Sequence, residues 1–427
     1  MFDKLKANSL LSGSAIYLFS NILNAAIPFA LLPVLTRYLS PTEYGEVAMF
    51  QTLLGALGAF VGLSVAGAAG RKYYDGQLAA HELKHFIAAC LHILLASTLL
   101  VFAFVFLLRE QLSAVLGLKT QWILWAVFVS AALVVVQLRL GQWQVRKEAR
   151  RFGALQISQS ALNMLLSLLL VVVFLYGADG RITAQIYTTG IFAVLALVFL
   201  NRDGLLSFRV WSLPRIQEAL KFGVPLIPHI AASFLLVSFD RVVISAEIGL
   251  ANAGVYMVAV QLAGALGIFF DAINKAYVPW LFERLKRDKP EEKIAIVRYT
   301  YWWFGAILVG ASLAFLIGPW LVTFVAGQAY ARAGDVIGWL ILGHAFGGMY
   351  FMVTNYVFYS KRTGLLSLAT ITSGLINVAL LVVLVRLLGL KGAAIAFSIS
   401  MGIRFLLTWW VAQRRHPMPW FNFKVQN

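Results

Sequence analysis

The sequence predicts an all-α polytopic membrane protein of twelve transmembrane helices, and three observations carry that prediction. The 427 residues are 61% hydrophobic and only 12% charged, with a mean hydropathy of +0.82. A soluble chain of this length needs more charge to cover its surface. The apolar residues fall in runs of about 20, the length an α-helix needs to cross a bilayer. The basic residues that give a net charge of +17 lie in the short stretches between those runs. That placement sets topology and is no nucleic-acid footprint.

The expected spans are 11–35, 46–68, 86–108, 122–141, 153–176, 182–200, 222–246, 254–278, 299–325, 334–358, 364–387 and 392–412. The first run is too long for a signal-peptide core and lacks a small-x-small cleavage site, so it is expected to stay as the first span. With the N-terminus cytoplasmic, inside segments outnumber outside segments in Lys and Arg by about three to one. Arg146, Lys147, Arg150 and Arg151 fill one inside loop, for example, and Arg362 and Lys424 lie in two others. Arg181 stands alone in an outside one. Both termini are therefore expected inside.

An internal repeat organises these spans. Gly55-Ala-Leu-Gly58-Ala-Phe60 returns as Gly264-Ala-Leu-Gly267-Ile-Phe269, and Gly177-x-x-Gly180 returns as Gly389-x-x-Gly392. The two offsets, 209 and 212 residues, nearly agree. Two six-helix halves are implied, both in the same orientation and related by a parallel pseudo-twofold along the membrane normal. The expected division is 1–200, a cytoplasmic linker at 201–221, and 222–427. Within the linker, Ser212 and Pro214 suggest the start of a short interfacial helix.

Charges inside the spans are the candidate functional groups, because an ionised side chain at membrane depth is costly and marks a partner or a water path. Asp240 and Arg241 are adjacent in span seven and point about 100° apart on a helix, so each is expected to need a partner elsewhere. Asp271 and Lys275 stand at the i, i+4 spacing of a helical ion pair. Glu247 ends span seven and Arg37 ends span one. Pro28 and Pro33 lie inside span one, as a static bend or a transport hinge. Pro279 is expected to close span eight. The mid-span amides Gln51, Asn163, Gln261, Asn274, Asn355 and Asn377 read as stitches between helices or the lining of a sugar path. His92, His229 and His344 read as packing residues without metal-ligand spacing. The single Cys90 excludes an intrachain disulfide. No nucleophile elbow, zinc-protease motif or phosphate-binding loop is present, and no loop is long enough for a catalytic domain.

Leu32-Pro-Val-Leu-Thr-Arg37-Tyr-Leu-Ser-Pro-Thr-Glu-Tyr-Gly45 resembles the N-terminal signature of the polysaccharide-transporter family. So do Leu220-Lys-Phe-Gly-Val-Pro225-Leu-Ile-Pro228, Ser238-Phe-Asp240-Arg241 and Ala253-Gly-Val-Tyr256. These resemble the Wzx-type lipid-linked oligosaccharide flippases of the MATE-like exporter superfamily. The resemblance implies two MATE-like bundles, alternating access, and a multi-pass location in the bacterial inner membrane. It implies a substrate of undecaprenyl pyrophosphate carrying one oligosaccharide repeat unit, for O-antigen or similar surface polysaccharide. It further implies a cationic cavity, for which Arg37, Arg241 and Lys275 are the matching positions. Asp240, Asp271 and Glu247 are then candidates to carry a coupling proton or sodium ion. No cofactor is expected. Expected partners are the bilayer and the polysaccharide polymerase and chain-length machinery, and the chain is expected to be monomeric. The two extra helices of lipid II flippases are lacking. The competing expectations are a MATE-like multidrug/cation antiporter, which needs a net acidic pocket, and a membrane-bound glycan polymerase or ligase, which needs a large external loop.

Overall fold

A bilayer leaves backbone amides no partner but other backbone, and the described residues answer that constraint with helices and short turns, with no strand among them. The computed structural model describes residues 2–75, 80–361 and 364–421, with side chains from Phe19 onward except at positions 25 and 80. Arg362 and Lys424, counted above among the inside cations, lie outside the described residues. Eleven helical segments among the described residues are long and apolar enough to span a membrane. The chain divides into two compact units, Met1–Ala231 and Ala232–Asn427.

The first unit holds α1 (Phe2–Tyr38), α2 (Pro41–Leu57), α3 (Val65–Lys72), α4 (Ala80–Leu107), α5 (Arg109–Leu116), α6 (Thr120–Val145) and α7 (Ala149–Leu168). A π turn, Leu169–Val173, extends α7. Then come α8 (Gly177–Arg202) and α9 (Leu213–Gly223), which runs through a 3-10 turn into α10 (Ile227–Val237). The unit boundary falls inside α10, so the linker helix α9 belongs with the first half and packs on α3 and α4. Ser212 is extended at its N-cap position but makes no side-chain cap bond, while Pro214 sits in the first turn. Central to the unit is α6, packed against α2, α3, α4, α5, α7 and α8.

The expected span 46–68 does not form as a single helix, because α2 ends at Leu57 and α3 starts at Val65. Between them Gly62, Leu63 and Ser64 all take positive φ, so no helical bond ladder can pass. Non-helical backbone at membrane depth is tolerated only when protein satisfies it. Here Ser97 Oγ accepts the Gly62 N–H at 2.9 Å, and the Cys90 thiol donates to Val65 O at 3.7 Å. A Cβ on Gly223 would stand 1.9 Å from Leu63 O, so only glycine lets α9 close over the break.

The second unit holds α11 (Asp240–Ile248), α12 (Leu250–Arg287), α13 (Pro290–Ala326), a 3-10 stretch Gln328–Ala333, α14 (Gly334–Tyr359), α15 (Gly364–Leu388) and α16 (Leu390–Arg415). Here α14 is central, packed against α12, α13 and α16. Its Gly338, Gly343 and Gly348 receive Phe315, Phe397 and Phe270 from those three helices, the small-residue packing that membrane helices favour. Pro279 does not close span eight, contrary to the sequence expectation, and α12 continues through it to Arg287. Proline inside a helix costs about 3 kcal/mol, and burial of Leu281 and Leu285 just beyond it offsets that cost. At about 1.5 Å per residue, α12 and α13 overrun a hydrocarbon core of about 30 Å. They meet at Asp288, whose carboxylate pairs with Lys293 at 2.5 Å; that hydrogen bond holds its pKa below the usual range.

One glycine motif of the repeat has the same structural role in both units, whereas Gly58 ends α2 and its counterpart Gly267 lies inside α12. Gly177 and Gly389 take positive φ, +56° and +59°, at the starts of α8 and α16. Three residues on, Gly180 meets the backbone of Leu170, and Gly392 that of Leu384. Each pair turns the chain and then lets the preceding helix approach closely.

The chain beyond α16 folds back, which the sequence had not signalled. Met418 and Trp420 are buried in the aromatic core of the second unit with Tyr356 and Phe405. Tyr301 Oη donates to Trp420 O at 3.0 Å, and His416 stacks on Tyr356 with rings 6.1 Å apart. Truncation of a buried Trp costs about 3–5 kcal/mol, so Trp420→Ala should detach this tail. Hydrogen exchange at 416–421 will read the loss. Burial first, and Lys293 second, push the His416 pKa down, while Asp288 pulls the other way. Docking that keeps His416 neutral is fully present above an ordinary imidazole pKa of about 6.5 and weakens as pH falls through the lower, docked value. Exchange at 416–421 should therefore rise on acidification, and a pH-independent profile would show that His416 does not govern docking.

Candidate functional site

The signature stretch Ser40–Gly45 is first a helix start. Pro41 opens α2, Ser40 Oγ accepts from the Glu43 N–H at 3.3 Å, and Glu43 Oε2 accepts from the Ser40 N–H at 2.8 Å. This is a reciprocal capping box. The Glu43 carboxylate lies against Gly177 at the start of α8. Arg37, four residues after Pro33, is exposed and its guanidinium donates to Pro33 O. No carboxylate lies within ion-pair distance of Arg37 among the described residues, so it is available to an anion. Through Pro28 and Pro33, α1 stays helical.

The expectation that Asp240 and Arg241 point apart and need other partners is corrected by the structure. The helix stops at Val237 and restarts at Asp240, so the two residues form a helix N-terminus and not a mid-helix pair. Asp240 Oδ1 accepts the Arg241 backbone N–H at 2.9 Å and lies 3.4 Å from Arg241 Nη1. That same Nη1 donates to Val237 O at 2.8 Å, tying the two helix pieces across the break. Both side chains are buried, 3% and 6% exposed.

Asp271 and Lys275 form their i, i+4 ion pair at 2.6 Å, and both remain substantially exposed. Of the three cations matched by resemblance, Arg37 and Lys275 can therefore meet a ligand, while Arg241 is enclosed. Glu247 is bound by Arg386 at 3.0 and 2.7 Å, and that hydrogen bond holds its carboxyl below the usual range. A carboxylate that stays ionised in this way is poorly placed to load and release a proton near neutrality. Glu247→Gln is accordingly expected to leave folded yield and transport unchanged. A well-folded but transport-dead Glu247→Gln protein would return it to the coupling step.

Most of the amides stitch helices. Asn355 Nδ2 donates to Asn274 Oδ1 at 2.8 Å, and Asn377 Nδ2 to Leu235 O at 2.9 Å. Gln51 bonds Gln185. Asn24 bonds Ser160, and Gln156 reaches Asn21 at 3.3 Å, so α1 and α7 are joined by a polar seam. Arg181, counted as an outside loop cation, instead donates to Asn163 Oδ1 at 3.2 Å from the first turns of α8. Arg139 lies at the edge of the expected span 122–141. It is fully buried on α6, paired with Asp203 and stacked over Trp143. Its position among apolar residues was the available signal, since buried charge needs a reason.

A family of polysaccharide biosynthesis proteins matches residues 10–285. The chain belongs to that family. Its relatives include an uncharacterized membrane protein of Haemophilus influenzae, 28% identical over 375 residues, covering 86% of this chain and 88% of the relative. The succinoglycan biosynthesis transport protein ExoT of Rhizobium meliloti is 23% identical over 351 residues, covering 79% and 66%. Among solved structures, the lipid II flippase MurJ in an inward closed conformation superposes with a TM-score of 0.73 at 13% identity, covering 94% of this chain and 87% of that one. An inward-facing multidrug resistance MATE family transporter gives 0.63 at 16% identity, covering 92% and 94%. These likenesses show that this polysaccharide biosynthesis protein has the all-helical fold shared by MurJ and MATE transporters. It is a multi-pass membrane protein of a polysaccharide biosynthesis family.

Proposed function

We propose that the protein is a flippase that moves undecaprenyl-pyrophosphate-linked oligosaccharide repeat units across the bacterial inner membrane, for O-antigen or a similar surface polysaccharide. The family match over residues 10–285 carries this reading. The proposed cycle is alternating access with both termini cytoplasmic and a proton or sodium ion as driver. The glycan polymerase and chain-length machinery are its proposed partners, and the working unit is proposed to be a monomer.

A pyrophosphate needs its hydration replaced to cross hydrocarbon. In this reading Arg37 offers a planar fork of donors and Lys275 a mobile point charge. Pyrophosphate competes with Asp271 for Lys275, and the released Asp271 carboxylate takes the coupling ion. Asp240 is the second candidate acid, coupled through the helix break at 238–239 that it follows. Pro28 and Pro33 supply the proposed hinge in α1. The mixture of exposed cations and acids supports an anionic substrate over the organic cations of an antiporter.

Deletion in the native host, followed by lipid extraction, tests the proposal. Undecaprenyl-linked repeat units should accumulate on the cytoplasmic side, surface glycan should fall, and plasmid-borne wild type should restore it. Normal surface glycan in a strain with no second such transporter would refute it. Drug sensitivity with normal glycan would favour the antiporter.

A further inference from the structure

A chamber of about 500 Å³ opens in the first unit between α6, α7 and α8. The Lys/Arg distribution puts this end of the unit in the cytoplasm. Arg139 forms its floor, Arg151 and Arg202 its mouth, and Leu155, Phe192 and Leu195 part of its wall. Arg139 is 0% exposed. Its Nη2 is held by Asp203, and its Cζ lies 4.1 Å from the Trp143 ring centroid. Its Nε and Nη1 have no hydrogen-bond partner among the described residues.

Local carboxylates do not balance these arginines. Asp203 is shared with Arg146 at 3.7 Å, and Arg151 is paired with Glu148 at 2.7 Å. Arg202 makes no ion pair among the described residues. Four guanidinium groups thus face two carboxylates, and of those two carboxylates only Asp203 lines the chamber. Basic pockets between helices at the cytoplasmic side suit phosphate headgroups, and arginine forks match phosphate oxygens. A free phosphate would use only the polar half of this chamber. The other half is apolar, and Leu195 lies at its edge, 37% exposed on a membrane-spanning helix, where an acyl chain can leave for the bilayer.

We infer that this chamber binds the phosphate headgroup of an anionic phospholipid from the cytoplasmic leaflet, with an acyl chain along Phe192 and Leu195. None of the chamber's lining residues is among those proposed to hold the transported substrate, so the inference does not depend on the flippase reading.

Native mass spectrometry of the purified full-length protein tests it, with phosphatidylglycerol and phosphatidylcholine as probes. Wild type should retain phosphatidylglycerol in preference to phosphatidylcholine. The double variant Arg151→Ala/Arg202→Ala alters only the chamber mouth and should fold normally. It should lose on the order of tenfold in phosphatidylglycerol binding with phosphatidylcholine unchanged. Arg139→Gln should do the same where it folds. Equal retention of the two lipids, or undiminished phosphatidylglycerol binding by the double variant, would overturn the site. Displacement by millimolar inorganic phosphate would reassign it to a free anion. Preferential displacement by undecaprenyl pyrophosphate would reassign it to the transported lipid.

Discussion

Arg241→Ala and Asp240→Asn are each expected to remove most of the folded protein from the membrane fraction. The two side chains are buried and form an ion pair, and Arg241 also binds Val237 O across the helix break. Removing one member of a buried pair leaves an uncompensated charge and costs about 3–5 kcal/mol. That is a large share of a marginal stability of about 5–15 kcal/mol. Replacing both by apolar residues of similar volume, Asp240→Leu with Arg241→Met, removes the stranded charge and should recover folded protein. Fluorescence-detected size-exclusion yield, measured beside surface glycan, separates the roles. Recovered folding without transport in the double variant assigns the pair to the transport cycle as well as to the joint. Single variants that fold at wild-type yield would overturn the structural role.

Gly392→Ala should be far more damaging than the repeat-related Gly180→Ala. An added Cβ at Gly392 would stand 1.9 Å from Leu384 O and 2.3 Å from its carbonyl carbon, while at Gly180 the nearest atoms of Leu170 are 3.0 Å away. Backbone cannot swing aside as a side chain can, so α15 or α16 must shift. Overpacking in a well-packed core costs about 1–3 kcal/mol, and Gly392 should reach or exceed the top of that range. At Gly180 a shift of a few tenths of an ångström suffices, and the helix preference for Ala over Gly returns about 1 kcal/mol. The expected result is a near-neutral Gly180→Ala and a poorly folded Gly392→Ala, read as thermal stability in detergent. Equal effects would break the assignment of unequal helix spacing in the two units.

The positions of most spans and the family signature were legible in the sequence because each depends on residues close together in the chain. A bilayer of fixed thickness imposes a linear rule, about 20 apolar residues per crossing, and Gly177 and Gly389 announce the same turn twice. Even the linker helix could be placed, from Ser212 and Pro214. The interrupted span 46–68 could not. Its apolar content satisfies the rule, while the break depends on Ser97, Cys90 and Gly223 arriving from elsewhere to satisfy the freed backbone.

The site divides along the same line. Sequence alone selected the charged residues at membrane depth, since desolvation makes any such residue conspicuous. It also gave the Asp271–Lys275 spacing, which is local helix geometry. Only the tertiary structure decided which charges are spent on the fold. A helix restart turned Asp240 toward Arg241, α15 brought Arg386 to Glu247, and the chain after α8 brought Asp203 to Arg139. Ion pairing falls off within a few ångströms, so the availability of an arginine is set by neighbours 64 or 139 positions away, which no local reading of the chain can supply.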